Sequence, residues 1–436
     1  MKSVLILSKW INASSVALAV EQVKARGLRT VLVSASSEDR IRDECDDHVL
    51  VDWDREDPAA LIARLDERGI VPIAVVNQVE PLMPWQGVLA AHYGLPGVSA
   101  GHDVLASKTL VRERMRALNL SAMRFTDDPA EADFFPAIVK PSRESAASWL
   151  VERVDSRAEL LAYQRHLADL GLAGTELIIE AFLPGTEFSV DGPVLAGRFH
   201  PLMAVERPEH DDRRHHNAGL QIQPPQQEHV RAGVEALTEM IGTLAADLGL
   251  DQVWMHIEAR VDLDGRPELV EINPRPAGGM YSAVIRELSG IDPMEAFVSM
   301  ALGEFALPAQ GVAPLRDHPV IGLFDVEADR LGVVEIRTTA EDLRALPGVI
   351  DAEAADGFRI TSLDKENFFI RFALGGDSVS HLRDRVASVL DTLDYRITAH
   401  PEPARVSELI TRLEEIPTGY ALAGERGADT RAPVAP

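Results

Sequence analysis

Short apolar runs alternate with amphipathic stretches along the first hundred residues. KSVLILS (2–8), RTVLVSA (29–35), HVLVD (48–52) and IVPIAVVN (70–77) have the length and composition of buried strands. Between them, periodic segments begin at Ser14 or Ser15 and at Asp57-Pro58 and end at Gly27 and Gly69; a third runs from Glu80 to Tyr93 and stops at Gly94 and Pro96. Ser and Asp cap helices, Pro opens them and Gly closes them. Buried strands alternating with helices predict a small parallel doubly wound sheet. Its first turn, SKWINASS, lacks GxGxxG, so no dinucleotide site is expected. Asn77 ends the fourth strand at the edge where such sheets bind ligands, with a plain turn role as the alternative.

From Asp103 the pattern predicts a helix through SKTLVRERMRAL to Leu118, then a strand FPAIVKP (135–141), a loop SRESAASW and a strand WLVERVDS. Arg157 to Leu170 reads as a helix. Residues 175–199 read as a strand, a linker at Ala181–Gly185 and a hairpin turned at Asp191-Gly192. The polar stretch 207–219 is a loop, and Glu228 to Leu248 a long helix. Helices follow at Tyr281–Leu288 and Pro293–Ala301. After a break in composition at 306–319, short strands and helices predict a small α+β unit. One more helix is expected over 403–415, and the Ala/Gly/Arg/Pro-rich tail after Tyr420 reads as disordered.

Two β-rich runs flank DLDG within Val253–Gly279. A tight turn at Asp264-Gly265 would set Glu258 opposite Glu271 and His256 opposite Asn273, all on one face, with Ile257, Val270 and Ile272 on the other. Facing carboxylates lie ~5 Å apart at Cβ and repel. A shared proton or a bound cation would relieve them. Two carboxylates and an amide oxygen are hard ligands and suit Mg²⁺ held together with substrate phosphates. A solvated polar face is the alternative, and a one-residue bulge would break the register.

The length, 436 residues, allows two or three domains, and 46% hydrophobic with 26% charged residues is ordinary for a globular chain. The net charge of −26 argues against nucleic acid and anionic membranes as partners. It also means that an anionic ligand needs local cations. Lysine is scarce, confined to Lys2, Lys9, Lys24, Lys108, Lys140 and Lys365. A single cysteine, Cys45, excludes an internal disulfide and fits a cytoplasmic protein; the acids around it would raise its pKa and make a nucleophile role unfavourable. No apolar run is long enough to span a membrane.

Taken together, Lys108 in SKTLVRERM, Lys140 in AIVKP, IIEAFLPGTEFSV (178–190) and HIEARV…LVEINPRPAGG resemble the ATP-grasp superfamily over roughly residues 1–305. The overall look is similar to carboxylate–amine ligases, L-amino-acid (dipeptide-forming) ligases among them. The resemblance implies an ATP-grasp fold of α/β and α+β class. It divides into an N-terminal parallel α/β domain (1–102), an ATP-grasp domain (103–305) with a small lid at about 122–184, a small C-terminal α+β domain (306–402), and a terminal helix and tail (403–436).

It implies ATP and Mg²⁺ (or Mn²⁺) as cofactors, small-molecule carboxylate and amine substrates, and a homodimer. Lys108, Lys140 and Ser145 would hold phosphates. Glu180, Ala181 and Leu183 would read adenine through backbone groups, and Glu187 would accept the ribose hydroxyls. Glu258, Glu271 and Asn273 match the family's metal ligands. Arg275, with Lys140, would carry catalysis by stabilising charge on an acyl phosphate. Gly278 and Gly279 would let backbone N–H groups approach the substrate.

His256 would orient Asn273, touch substrate or serve structure. The loop of Arg213, Arg214, His215, His216 and Asn217 is a substrate or phosphate contact or a surface loop. The sequence departs from the family pattern after Lys140, where SRESAASW carries no glycine. The implied reaction is ADP-forming amide or peptide synthesis. The alternatives are a thiol, carrier-protein or purine-type acceptor, or a nucleotide-binding module without turnover.

Overall fold

The computed structural model describes residues 2–9, 13–99, 101–143, 150–209, 219–363 and 366–399. Ser145, the 213–217 loop with His216, and the helix expected over 403–415 lie outside the described residues, as does the tail.

β1 (Ser3–Ser8), β2 (Arg29–Ser34), β3 (Asp47–Leu50) and β4 (Pro72–Asn77) form the expected parallel sheet, in the order β3-β2-β1-β4. β1 is buried along its whole length, because α1 (Ser14–Ala25), α2 (Pro58–Glu67) and α3 (Met83–Tyr93) supply apolar residues to its two faces. Asp57 caps α2, its side chain accepting from the Ala59 amide, with Pro58 in the first turn. Cys45 lies beside this sheet; burial is the larger reason its thiol is pushed up to about 11, with Glu44 and Asp39 adding to it.

The helix expected from Asp103 to Leu118 is two helices, α4 (His102–Leu105) and α5 (Lys108–Ala117). Ser107 separates them. Its backbone is extended, and its side chain accepts from the Leu110 amide, so a strong N-cap starts a new helix at Lys108. β5 (Phe125–Thr126), β6 (Ala137–Pro141), β7 (Glu152–Val154) and β8 (Leu177–Ala181) make an antiparallel sheet backed by α6 (Arg157–Asp169), through Leu160, Tyr163 and Leu167.

The largest sheet holds β9 (Thr186–Leu195), β10 (Arg198–Phe199), β11 (Met203–Arg207), β12 (Leu220–Gln223), β13 (Val253–Val261), β14 (Pro267–Asn273), β15 (Val320–Glu327), β17 (Val349–Ala354) and β19 (Phe368–Gly376). Its path is β14-β13-β9-β11-β12-β15-β19-β17, with β10 paired to β9. The sheet is continuous across residue 305, since β12 pairs with β15. α7 (Glu228–Asp247) covers one face, packing Val230, Val234, Leu237 and Ile241 against Phe188, Val190, Ile257 and Ala259. α8 (Tyr281–Ser289) and α9 (Pro293–Ala301) follow the β13–β14 hairpin. β16 (Gly332–Ile336), β18 (Arg359–Ile360) and β20 (Tyr395–Thr398) form a small sheet, while α10 (Ala340–Arg344) and α11 (Val379–Leu390) complete the described chain. Among the described residues no helix is long and apolar enough to cross a membrane.

Two turns differ from expectation. Asp191-Gly192 is no hairpin: β9 runs straight through it and turns at Ala196-Gly197, both at positive φ. Gly192 is there for close approach, since a Cβ would collide with the His200 carbonyl. The β13–β14 loop has three residues, Leu263, Asp264 and Gly265, with Asp262 and Arg266 paired across it and Gly265 at φ +79°. That loop offsets the pairing by one residue. A β-bulge then takes up the offset, because Ala259 pairs with Leu269 while Glu258 pairs with Glu271, leaving Val270 as the extra residue. Beyond the bulge Glu258 faces Glu271 and His256 faces Asn273, as the two-residue turn would have given.

Candidate functional site

Side-chain alternation puts a run of polar residues on the face of the large sheet that α7 does not cover. β14 contributes Glu271 and Asn273, β13 His256, Glu258 and Arg260, β9 Glu187, Ser189 and Asp191, and β11 Arg207. Most are buried, so each charge needs a partner.

Arg207 is the hub. One guanidinium nitrogen, Nη1, donates to Glu187 Oε1 and to Glu258 Oε1, both at 2.8 Å. Nη2 donates to the Tyr281 hydroxyl at 3.1 Å, and that hydroxyl donates to Gln221 Oε1 at 3.2 Å. Gln221 Nε2 in turn donates to Asp325 Oδ2 at 3.0 Å, and Asp325 lies 3.6 Å from Arg371. The C-terminal strands therefore join the same network. Glu187, matched to ribose, is engaged here by Arg207.

His256 Nδ1 lies 2.8 Å from Asp191 and Nε2 lies 3.4 Å from Glu258; neither contact reaches Asn273. Burial alone would lower the imidazole pKa, but Asp191 and Glu258 push it up to about 9, so His256 is a cation at neutral pH. Burial alone would also raise the Glu258 carboxyl. Arg207 and His256 instead hold it well below the usual carboxylate range.

Lys108 Nζ lies 2.7 Å from Glu271 Oε1. Lys140 Nζ lies 2.8 Å from Glu180 Oε2 and donates to the Val270 carbonyl at 3.0 Å. Arg112, one helical turn after Lys108, reaches Glu180 and the Leu269 carbonyl. Against the cost of burial, Arg112 and Lys140 hold the Glu180 carboxyl down at about 2. The Glu180 side chain is thus a structural anchor beneath the linker. The amide of Ala181 donates to the Arg124 carbonyl at 2.9 Å and that of Phe182 to the Pro136 carbonyl at 3.0 Å. A base bound there must use other backbone groups, with half-buried Leu183 next in the chain. One cavity joins Lys108, Arg112, Ser142, Arg143, Glu180, Val270 and Glu271.

A second cavity adjoins it, and Glu80 lines both. Arg275, on the wall of the second, lies 3.1 Å from Glu80. Burial raises the Glu80 carboxyl, with Arg275 opposing the shift and Glu271 adding to it. Asn77 lines this cavity too, accepting from the Val79 amide at 2.9 Å and donating to Gln86 at 3.1 Å, so a turn role and a cavity position coincide. Gly278 and Gly279 are half-buried; Gly279 adopts φ +62°, and a Cβ there would lie 3.2 Å from Arg371 Nη1.

The donor set fits a hard cation. Glu258 and Glu271 face each other beside Asn273; cations hold Oε1 of each carboxylate, and neither Oε2 has a hydrogen-bond partner among the described residues. No cluster of three or more His, Cys, Asp and Glu side chains that could hold a metal occurs among the described residues. Two carboxylates and an amide suit Mg²⁺ whose remaining ligands are phosphate oxygens and water.

Arg112, Arg207, Glu80, Asp191 and Tyr281 were not singled out from sequence. Arg112 is four residues from Lys108 on one helix face, and Glu80 just follows the end of a parallel strand, so each carried a readable signal. Arg207 ends the strand MAVER and begins the polar stretch read as a loop, a weaker one. Asp191 was read as a turn residue.

Residues 133–284 match a family model described as ATP-grasp domain. In structure the chain is similar to an L-amino acid ligase from Bacillus licheniformis (19% identity, TM-score 0.73, covering 91% of this chain and 99% of that one). It is also similar to a biotin carboxylase from Campylobacter jejuni in a β-γ-ATP complex (15%, 0.64, 95% of each chain). A third similar structure is a phosphoribosylglycinamide synthetase from Anaerococcus prevotii (13%, 0.63, 91% and 100%). Comparison with curated protein sequences gives no significant match. At these identities the structural likeness is one of fold, and the family match assigns an ATP-grasp domain to residues 133–284.

Proposed function

We propose that the protein is an ATP-dependent carboxylate–amine ligase. The observation that carries this reading is the juxtaposition of Glu258, Glu271 and Asn273 with Lys108 on one side and the Glu80–Arg275 cavity on the other. Lys108, Lys140 and Ser145 bind the phosphates of ATP, with Glu180, Ala181 and Leu183 lining the adenine site and Glu187 near the ribose. Glu258, Glu271 and Asn273 would hold Mg²⁺, which when bound would supply neutralisation of the phosphate charge.

A carboxylate oxygen of the substrate attacks the γ-phosphorus, and the bond from that phosphorus to the bridging oxygen of ADP breaks. Arg275 stabilises the acyl phosphate. The amine nitrogen then attacks the acyl carbon, phosphate leaves, and the nitrogen loses a proton, for which Glu80 beside Arg275 is the candidate acceptor. Positioning and charge stabilisation supply the rate, as in other phosphoryl transfers. Gly278, Gly279, His256 and His216 are assigned to the substrate side.

The reading takes the chain as a cytoplasmic homodimer with units divided near residues 102 and 305. Amino acids are the preferred substrates, which makes the product a dipeptide. Incubation with Mg²⁺, ATP and amino-acid mixtures tests it: ADP release that depends on a carboxylate is expected. Tight ATP binding without carboxylate-dependent ADP release contradicts it.

A further inference from the structure

Arg371 lies beyond residue 305, on β19, opposite Asp325 of β15. Asp325, Gln221, Tyr281 and Arg207 link it in turn to Glu258. The other cations of the site are bonded to protein carboxylates. Lys108 lies 2.7 Å from Glu271, Lys140 2.8 Å from Glu180, Arg207 2.8 Å from Glu187 and Glu258, and Arg275 3.1 Å from Glu80, while Arg112 holds Glu180. Arg371 differs. Its Nε is 3.6 Å from Asp325 Oδ1, too far for a hydrogen bond, and Oδ2 is taken by Gln221 at 3.0 Å. The guanidinium makes no hydrogen bond among the described residues.

The side chain is 19% exposed, and the exposed part includes its outer nitrogens: Nε is enclosed, whereas Nη1 and Nη2 reach solvent. These nitrogens lie against the loop that follows Arg275. A Cβ on Gly279 would be 3.2 Å from Nη1, and the three atoms nearest that position, Nη1, Cδ and Cζ, all belong to Arg371. Glycine at 279 thus lets the guanidinium rest on the loop backbone. The Phe368 ring, its centroid 5.2 Å from Cζ, also holds it. A mostly enclosed arginine that is held in place with unbonded, accessible N–H groups matches an incoming acceptor better than an internal anchor. Two parallel N–H groups suit the two oxygens of a carboxylate.

We propose that Arg371 sets the choice of amine: Nη1 and Nη2 donate to a carboxylate carried by that substrate, so the acceptor is an amino acid and not a simple amine. The proposal rests on the ligase reading, which places ATP at Lys108 and Lys140 and the acyl phosphate at Arg275, leaving the amine to be located. Arg371 lines neither the nucleotide cavity nor the Glu80–Arg275 cavity. It meets the chain at Gly279, four residues after Arg275, where an amine can reach the acyl carbon while its own carboxylate is held.

Full-length protein is given Mg²⁺, ATP and a carboxylate identified by ADP release, and the acceptor is varied. Alanine and leucine are compared with their α-amides, which lack the carboxylate, and with phosphoethanolamine, whose anion is a phosphate. Hydroxylamine carries no anion and intercepts the acyl phosphate as a hydroxamate, so it reports activation whatever the amine. Products are separated by mass spectrometry. Each amino acid is expected to exceed its α-amide in kcat/KM by about 100-fold or more, as for sites built to hydrogen-bond a substrate. Arg371→Gln is expected to cut that ratio by about tenfold or more, through the KM of the amine, and to lower amide formation relative to hydroxamate. Arg371→Lys keeps the charge without the fork and should regain only part of the preference. Wild-type protein that uses the α-amides as well as the acids, or prefers phosphoethanolamine, overturns the proposal whether or not the variants fold. A ratio unchanged in folded variants overturns it too, as does a rise in the KM for ATP alone. No ADP release and no hydroxamate with any carboxylate overturns the ligase reading itself, and the proposal with it.

Discussion

Lys140 donates to the carbonyl of Val270, the residue that the β-bulge leaves without a pairing partner. The bulge thus has two effects: it returns Glu271 to the face of Glu258, and it offers a main-chain oxygen to a buried ammonium. Lys140→Met removes that bond and one of the two cations on Glu180. Breaking a buried ion pair costs about 3–5 kcal/mol when nothing compensates, and Arg112 still holds Glu180, so a loss at the low end is expected in urea unfolding. The KM for ATP should rise at least tenfold in the same variant, an effect on phosphate binding that packing alone does not produce.

His256 and Asp191 make stability depend on pH on the alkaline side. The imidazole is pushed up to about 9 in the folded protein, against an ordinary 6.5. A raised pKa contributes stability that is complete below pH 6.5 and is lost as pH climbs through about 9. The loss over that window is on the order of 3 kcal/mol. Asp191→Asn should flatten this part of the profile in chemical denaturation at pH 6 to 9. An unchanged slope would show that the pair does not hold the proton.

Arg207 neutralises two carboxylates from different strands. Arg207→Met removes the cation that Glu187 and Glu258 share; His256 still faces Glu258, so a loss at the low end of about 3–5 kcal/mol is expected. Arg207→Lys keeps a charge but not the fork that reaches Glu187, Glu258 and Tyr281 together, so it should recover only part of the loss. Thermal and urea unfolding of both variants check this.

These buried partners show where sequence reading stops. The parallel sheet, the long α7 and the acidic pair with Asn273 were legible, because apolar runs, caps and strand alternation are local signals. The register held for a different reason than the turn chemistry suggested: a three-residue loop shifts the pairing and the bulge at Val270 shifts it back. Asp191-Gly192 misled because glycine serves close backbone packing as well as turns. Arg207 meets Glu187, Glu258 and Tyr281 only through strand order and the return of α8, which no local pattern encodes. The continuation of the large sheet into β15 and β19, with Asp325 and Arg371, was hidden for the same reason.

Arg275 is assigned to the charge that develops on the acyl phosphate, and its neighbour Glu80 to proton removal. Arg275→Met should lower kcat by about 10²–10³ while leaving ATP affinity within a few-fold, the pattern for a group acting mainly in the transition state. Steady-state kinetics with ATP binding measured separately by calorimetry distinguishes this from lost nucleotide binding. A variant that loses both together would place Arg275 on the nucleotide instead.

Oxygen transfer during turnover tests the ligase mechanism most directly. A carboxylate identified by ADP release is labelled with ¹⁸O in both carboxyl oxygens and converted with an amine, Mg²⁺ and unlabelled ATP, and the inorganic phosphate is examined by mass spectrometry. An acyl phosphate places one labelled oxygen in the phosphate for every amide bond formed, with the other retained in the amide. Amide formation with unlabelled phosphate, or with the label in AMP, would contradict the account.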